Sequence, residues 1–189
     1  MAKDTLSGGF ETAPIESAQA FRVALDVMAR PGKISPISGA VPPAPMSVAA
    51  GTLLLTLCDP ETPIWLAPSL DTPEIKSWVR FHTGAPLTHE KKEAVFAFGR
   101  WDELQSVSDF AIGTAEYPDR SATLVVEVDT LSERGETLTG PGIETKATLS
   151  LPAVDAFRNN ASLYPLGLDF FFTAESRIAA MPRTTKLEA

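Results

Sequence analysis

Runs and spacings of apolar residues divide this chain into short, well-separated elements. The most hydrophobic run, Leu168 followed by Asp169 and three consecutive Phe residues (LDFFF, 168–172), lies just past a turn at Tyr164-Pro165-Leu166-Gly167. It keeps so little polar face that it predicts a strand covered on both sides. After a polar break at Ala174-Glu175-Ser176 the pattern returns as RIAAM (177–181), which predicts a hairpin. Alternation in SATLVVEV (121–128) predicts another strand, EAVFAF (93–98) and IWL (64–66) two more, and residues 136–148 a kinked pair around Gly140-Pro141-Gly142. Steps of three and four place Ala18, Phe21, Leu25 and Met28 on the expected inner face of a helix over 14–30, with Arg22 and Asp26 on its wet side. Pro31-Gly32 stops that helix, and four prolines between 35 and 45 make the next stretch an extended surface connection.

SVAAGTLLLTL (47–57) is apolar nearly all round and predicts a buried helix, with a strand as the alternative. Thr72-Pro73-Glu74 combines an N-cap, a proline at the first position and an acid in the first turn. It predicts a helix that carries Ile75, Trp78 and Val79 inward and ends near Phe81, leaving 82–86 as a loop. Shorter helices are expected at 102–107, capped by Asp102, and at 152–160. Residues 1–9 are polar and expected to fray. Strands separated by helices predict an α/β fold in one domain over 1–189, and the terminal hairpin makes the sheet mixed.

Charge and composition change this picture in three ways. With 24 acidic against 16 basic residues, the net charge of −8 disfavours non-specific binding to nucleic acid or to an anionic membrane. A single cysteine, Cys58, forms no internal disulfide and suits a reducing cytoplasm. The first residues lack the apolar centre of a leader, and no apolar run reaches membrane-spanning length, so the expected location is the cytoplasm.

Candidate chemistry is sparse. Two His and one Cys, scattered along the chain, match no zinc or iron–sulfur spacing. A Cys58–His82 nucleophile pair competes with a buried inert thiol. LTGPGI (138–143) is glycine-rich yet lacks the residues of a phosphate loop or a dinucleotide fingerprint, and reads first as a tight turn. Arg30 is expected to be a solvated helix-end charge, and Lys91-Lys92 a wet turn. At the end of the predicted third helix, Arg80 and His82 sit among aromatics. They serve either as helix-end structure or as a site for an anionic or heterocyclic ligand. Past the last strand, Arg183, Thr184 and Thr185 offer a guanidinium, two hydroxyls and backbone N–H groups, an arrangement suited to phosphate oxygens. A structural ion pair for Arg183 is the competing reading.

These motifs, taken in order, carry a resemblance. MARPG (28–32), LLLTLCDPETPIWL (53–66), RFHTGAPL (80–87), LTGPGI (138–143), YPLGLD (164–169) and PRTT (182–185) make the chain similar to the H subunit family of bacterial carbon–phosphorus lyase, PhnH. The resemblance spans about residues 10–187 and is weakest over 91–110 and 130–136. It implies a three-layer α/β/α fold with a mixed sheet, similar to the large domain of pyridoxal-phosphate-dependent transferases but without the cofactor. It also implies a homodimer that joins the G, I and J subunits. With the G, I and L subunits, such a protein is needed to move the ribose-triphosphate part of ATP onto an alkylphosphonate with loss of adenine. The radical step belongs to the J subunit. No metal, no cofactor and no catalytic residue of its own are expected. Arg183, Thr184, Thr185, Arg80 and His82 remain the candidate contacts to ATP or phosphonate, and a purely structural subunit is the alternative.

Overall fold

A computed structural model describes residues 6–105 and 107–188. Its centre is a six-stranded mixed sheet in the order β1–β8–β7–β4–β3–β2. Strands β2 (Ile64–Leu66), β3 (Phe96–Arg100), β4 (Thr123–Glu127) and β7 (Asp169–Ala174) run parallel. The return strand β8 (Arg177–Met181) is antiparallel to β7, and β1 (Ser35–Pro36) is antiparallel to β8. The terminal hairpin, the buried run of Phe residues and the mixed sheet therefore stand as expected.

Alternation along the strands sorts side chains to two faces. Phe98, Val125, Phe171, Ile178 and Ala180 face one cluster, which contains α1 (Ala13–Ala29), α2 (Val48–Leu57) and α3 (Pro73–Thr83). Ala97, Leu124, Val126, Phe170, Phe172 and Ala179 face the other. There they meet α4 (Trp101–Leu104), α5 (Val154–Ser162) and a small antiparallel sheet, β6–β5–β9. In that sheet β5 (Glu136–Thr139) lies between β6 (Ala147–Leu149) and β9 (Lys186–Leu187). Phe157 of α5 packs edge-on to Phe170 and Phe172, with ring centroids 4.9 and 5.6 Å apart. Each such fully buried aromatic contributes about 1.5–3 kcal/mol of transfer free energy.

Several local expectations hold for the reasons given. The all-round apolar segment is the buried helix, not the strand, and Ser47, which the sequence pattern did not single out, caps it through the Ala50 N–H. Thr72 caps α3 through the Ile75 N–H, and Gly84 closes that helix at φ 68°. Because α3 continues to Thr83, His82 belongs to its last turn and not to the following loop.

Other expectations are corrected. In α1 the buried positions are Ala20, Ala24 and Val27, while Ala18, Phe21 and Leu25 lie exposed and Met28 half-buried. Both triplets have helical spacing. The helix packs through its small residues, so the bulky stripe chosen on hydrophobicity faces outward. β3 begins at Phe96 because Lys91–Glu93 form a 3₁₀ turn ahead of it. α4 starts at Trp101 and not at Asp102, since the Glu103 carboxylate accepts from the Arg100 N–H and from Ser69. Residues 1–5 of the stretch expected to fray lie outside the described residues. From Ser7 the chain is packed: the Ser7 carbonyl accepts from the Trp78 indole at 2.9 Å, and Gly8 accepts from the Val41 N–H at 2.7 Å. No helix among the described residues is long and apolar enough to cross a membrane.

Candidate functional site

Pro182 ends β8 where β7 begins on the neighbouring strand, and Arg183 turns back onto it. The Asp169 carboxylate accepts from the Arg183 backbone N–H at 2.8 Å and from its Nε at 3.1 Å. A second carboxylate oxygen takes Nη2, which also donates to Ser121 Oγ, while Nη1 donates to the Pro118 carbonyl at 2.6 Å. The guanidinium thus spends its planar fork on one internal carboxylate and pins the 113–121 loop to the start of β7. Thr184 is half-buried. Thr185 is buried, and its hydroxyl has no hydrogen-bond partner among the described residues.

The α3 candidates are not brought together. Arg80 is exposed and borders a small pit with Trp65, Lys76 and His89. His82 points to another side of the helix, its ring centroid 5.0 Å from those of both Trp78 and Phe81. There it forms one end of an apolar groove of about 570 Å³ that Phe10, Pro14 and Phe21 also line. Gly9 crosses the imidazole so closely that an added Cβ would lie 2.4 Å from it, and His82 Nε2 is buried with no hydrogen-bond partner among the described residues. Cys58 is buried as well. Burial pushes its thiol far above the ordinary range, which favours the inert thiol over a nucleophile. Among the described residues no group of three His, Cys, Asp or Glu side chains comes together in a way that could hold a metal ion.

The glycine-rich turn serves packing. An added Cβ on Gly142 (φ 83°) would lie 2.0 Å from the Ala29 carbonyl, and one on Gly140 (φ 129°) would lie 3.0 Å from that of Thr184. The turn is therefore wedged between the end of α1 and the PRTT segment, which brings three of the sequence motifs into contact.

Two features escaped the sequence reading. At the carboxyl end of β4, the half-buried Glu127 accepts from the Ser47 N–H at 2.8 Å, at the start of α2. Burial is the largest influence on Glu127 and raises its pKa, against the opposing pull of the Ser47 N–H, the Ser47 and Thr173 hydroxyls and Arg100. The second is at the opposite ends of the same strands. Lys91, expected in a wet turn, is half-buried over the rings of Trp65 and Phe110 (4.9 and 5.2 Å), and its ammonium lies 3.7 Å from Asp109. Beside it, a cavity of about 720 Å³ is bordered by the exposed Lys92 and Arg120. Only position-two alternation near Glu127 was readable beforehand. Lys92 and Arg120 lie 28 positions apart in loops, with no shared motif.

The family model described as bacterial phosphonate metabolism protein PhnH matches residues 8–188. The alpha-D-ribose 1-methylphosphonate 5-triphosphate synthase subunit PhnH of Rhizobium meliloti (strain 1021) is 44% identical over 191 residues, covering 96% of this chain and 95% of the relative. A putative C-P lyase subunit protein, HtxG, of Stutzerimonas stutzeri is 27% identical over 195 residues, covering 95% and 94%.

Proposed function

The chain belongs to the PhnH family of bacterial phosphonate metabolism proteins, and from that premise we propose that it is a subunit of alpha-D-ribose 1-methylphosphonate 5-triphosphate synthase. In this role it acts in the cytoplasm with the G, I and L subunits, and the ribose-triphosphate part of ATP passes to methylphosphonate with release of adenine. The observation that carries the reading is the 44% identity to a protein of that name over nearly the full length of both chains. Reconstitution tests it: the other subunits with ATP and methylphosphonate should release adenine only when this chain is added. Adenine release at the full rate without it would end the proposal.

In this reading the chain has a supporting part, because the serine held by a carboxylate, Ser69 on Glu103 at 2.6 Å, borders neither the groove beside His82 nor the cavity beside Lys91. Assembly is supported by the outward stripe of α1, where Ile15 and Leu25 are each 57% exposed and Phe21 48%, close to the groove that His82 borders. Exposed bulky apolar side chains grouped on one helix suit an interaction face. The reading includes a homodimer joined to the G, I and J subunits, and a fold related to that of pyridoxal-phosphate transferases but used without the cofactor. The parallel run β2–β3–β4–β7 with helices on both faces supports the second point. Phe21→Asp combined with Leu25→Asp should leave the fold intact and lower the mass measured by light scattering or the capture of partner subunits. Unchanged values for both would remove α1 from the assembly.

A further inference from the structure

The cavity of about 720 Å³ lies at the amino ends of the parallel strands. Leu168, which immediately precedes β7, is part of its floor, and Ile112, whose backbone bridges to Ser121 just ahead of β4, is another part. With Phe110 these make an apolar base, of which Phe110 and Leu168 are fully buried. The rim is polar. Ser108, Asn159 and Ser162 offer hydroxyls and an amide, and Lys92 and Arg120 offer the only formal charges among the residues that line it. The chain has 24 Asp and Glu, yet none is among those lining residues.

The two cations are also uncommitted. Neighbouring Lys91 is occupied by Asp109, and Arg183 by Asp169. Lys92 and Arg120 have no ion-pair partner among the described residues. The Arg120 guanidinium lies 4.2 Å above the Tyr117 ring, a contact that orients it without neutralising it. In a protein of net charge −8, a cavity edged by two free cations is a local reversal of the field.

The walls are set in advance. Arg183 fastens the 113–121 loop through Pro118 and Ser121. Thr114 and Tyr117 close the loop on themselves, by a 3.1 Å backbone bond and a 3.0 Å bond to the Thr114 hydroxyl. Gly113 (φ 84°) passes the Pro118 carbonyl at a distance that leaves no room for a Cβ. On the opposite wall the Asn160 amide donates to the Leu168 carbonyl and accepts from the Leu168 N–H, at 2.9 and 2.8 Å. A preformed concave site with an apolar base and a few polar groups is the usual form of a small-molecule site, and rigid walls reduce the entropy lost on binding.

We propose that this cavity binds a triphosphate ester, with phosphate oxygens on Lys92 and Arg120 and the organic part on the accessible Val107, Ile112 and Leu163. The planar guanidinium suits two phosphate oxygens at once, and the ammonium supplies a point charge. The choice of a triphosphate rests on the synthase reading above. ATP and a ribose triphosphate product share the chemistry. The role of Arg183 is positioning: it holds the loop that forms one wall.

The test is calorimetric titration of the full-length chain, alone and with its partner subunits, using ATP, inorganic tripolyphosphate and adenosine. ATP should bind most tightly. Tripolyphosphate alone matching ATP would assign the site to a bare polyphosphate, and adenosine alone matching it would overturn the role of the cations. Lys92→Ala and Arg120→Ala should each weaken ATP about tenfold, as loss of a charged hydrogen bond does, and Ser108→Glu should weaken it by repulsion. All three positions are exposed, so melting temperatures should stay put. Arg134→Ala, an exposed cation elsewhere, should bind as the unaltered chain does. Binding kept in Lys92→Ala and Arg120→Ala but lost in Arg80→Ala would place the ligand at the end of α3 and overturn the proposal. Absence of saturable triphosphate binding in both settings would overturn it as well. If such a chain still supports adenine release in the reconstituted synthase, the cavity fails while the subunit reading stands.

Discussion

Two carboxylates sit at opposite ends of adjacent parallel strands and have been handled in opposite ways. Asp169, at the start of β7, meets Arg183, which donates its backbone N–H, Nε and Nη2 to it. Glu127, at the end of β4, meets the Ser47 N–H and neutral hydroxyls, with Arg100 only a minor influence. The first arrangement compensates charge with charge, and its removal leaves a carboxylate stranded. The second holds a carboxyl group by dipoles, where burial works against ionisation. Sequence shows both residues equally, but only the fold shows which one received a partner.

The largest expected effect follows from breaking the compensated end. The side chains of Arg183 and Asp169 are 13% and 23% exposed. Arg183→Ala removes the only cation facing Asp169 among the described residues and the donors to Pro118 and Ser121. Denaturant unfolding should show a loss of about 2–3 kcal/mol, at or below the bottom of the range for breaking a fully buried pair, because both side chains keep some exposure. Arg183→Lys should restore only part of it, because one ammonium cannot reach the carboxylate, the carbonyl and the hydroxyl together. If Arg183→Ala kept full stability and lost only ligand binding, the residue would be an anion contact and the contrast between the two ends would collapse.

How much of this was legible in the sequence follows from the range of each interaction. The Thr72 cap, the buried helix and the hairpin were readable because Thr72, the all-round apolar segment and the run of Phe residues act on neighbours within a few positions. The outward stripe of α1 was misread because Phe21 and Leu25 have the same helical spacing as Ala20, Ala24 and Val27. Periodicity gives a face but not which face is covered. Arg183 was identified as a charge at a strand end, yet its partners lie 14, 62 and 65 positions away. Lys92 and Arg120 were passed over for the same reason, since a cavity assembled from three loops and a helix leaves no local signature.

The uncompensated end gives a smaller effect with a distinctive pH dependence. Because Glu127 has a raised pKa in the folded chain, its protonated form is the one folding favours. Its contribution is fully present below the ordinary glutamate value of 4.5 and is lost as pH rises through the raised value. Glu127→Gln does not titrate. Its melting temperature should therefore gain on that of the unaltered chain as pH increases from about 4.5, then level off. Other groups titrate in both proteins and cancel in the difference. A difference that shrank with rising pH would mean that Glu127 is held as a carboxylate by a favourable charge, like Asp169.

The smallest effect separates structure from ligand contact at the C-terminal turn itself. Thr185 is 2% exposed and its hydroxyl bonds to nothing among the described residues. A buried hydroxyl that has lost water without gaining a partner carries a desolvation cost, whereas a methyl group in the same volume carries none. Thr185→Val keeps the branched shape and removes only the polar atom, so stability should be unchanged or higher by no more than about 1 kcal/mol. The informative measurement is the pairing of that unfolding curve with adenine release in the reconstituted synthase. A more stable variant with unaltered activity would make Thr185 a packing residue beside the Arg183–Asp169 pair, as closed to ligands as that pair is. A more stable variant with impaired activity would show that the hydroxyl is left unpaired for use, the expectation that PRTT first raised. The two outcomes differ in activity while agreeing in stability, so the folding measurement alone does not decide between them.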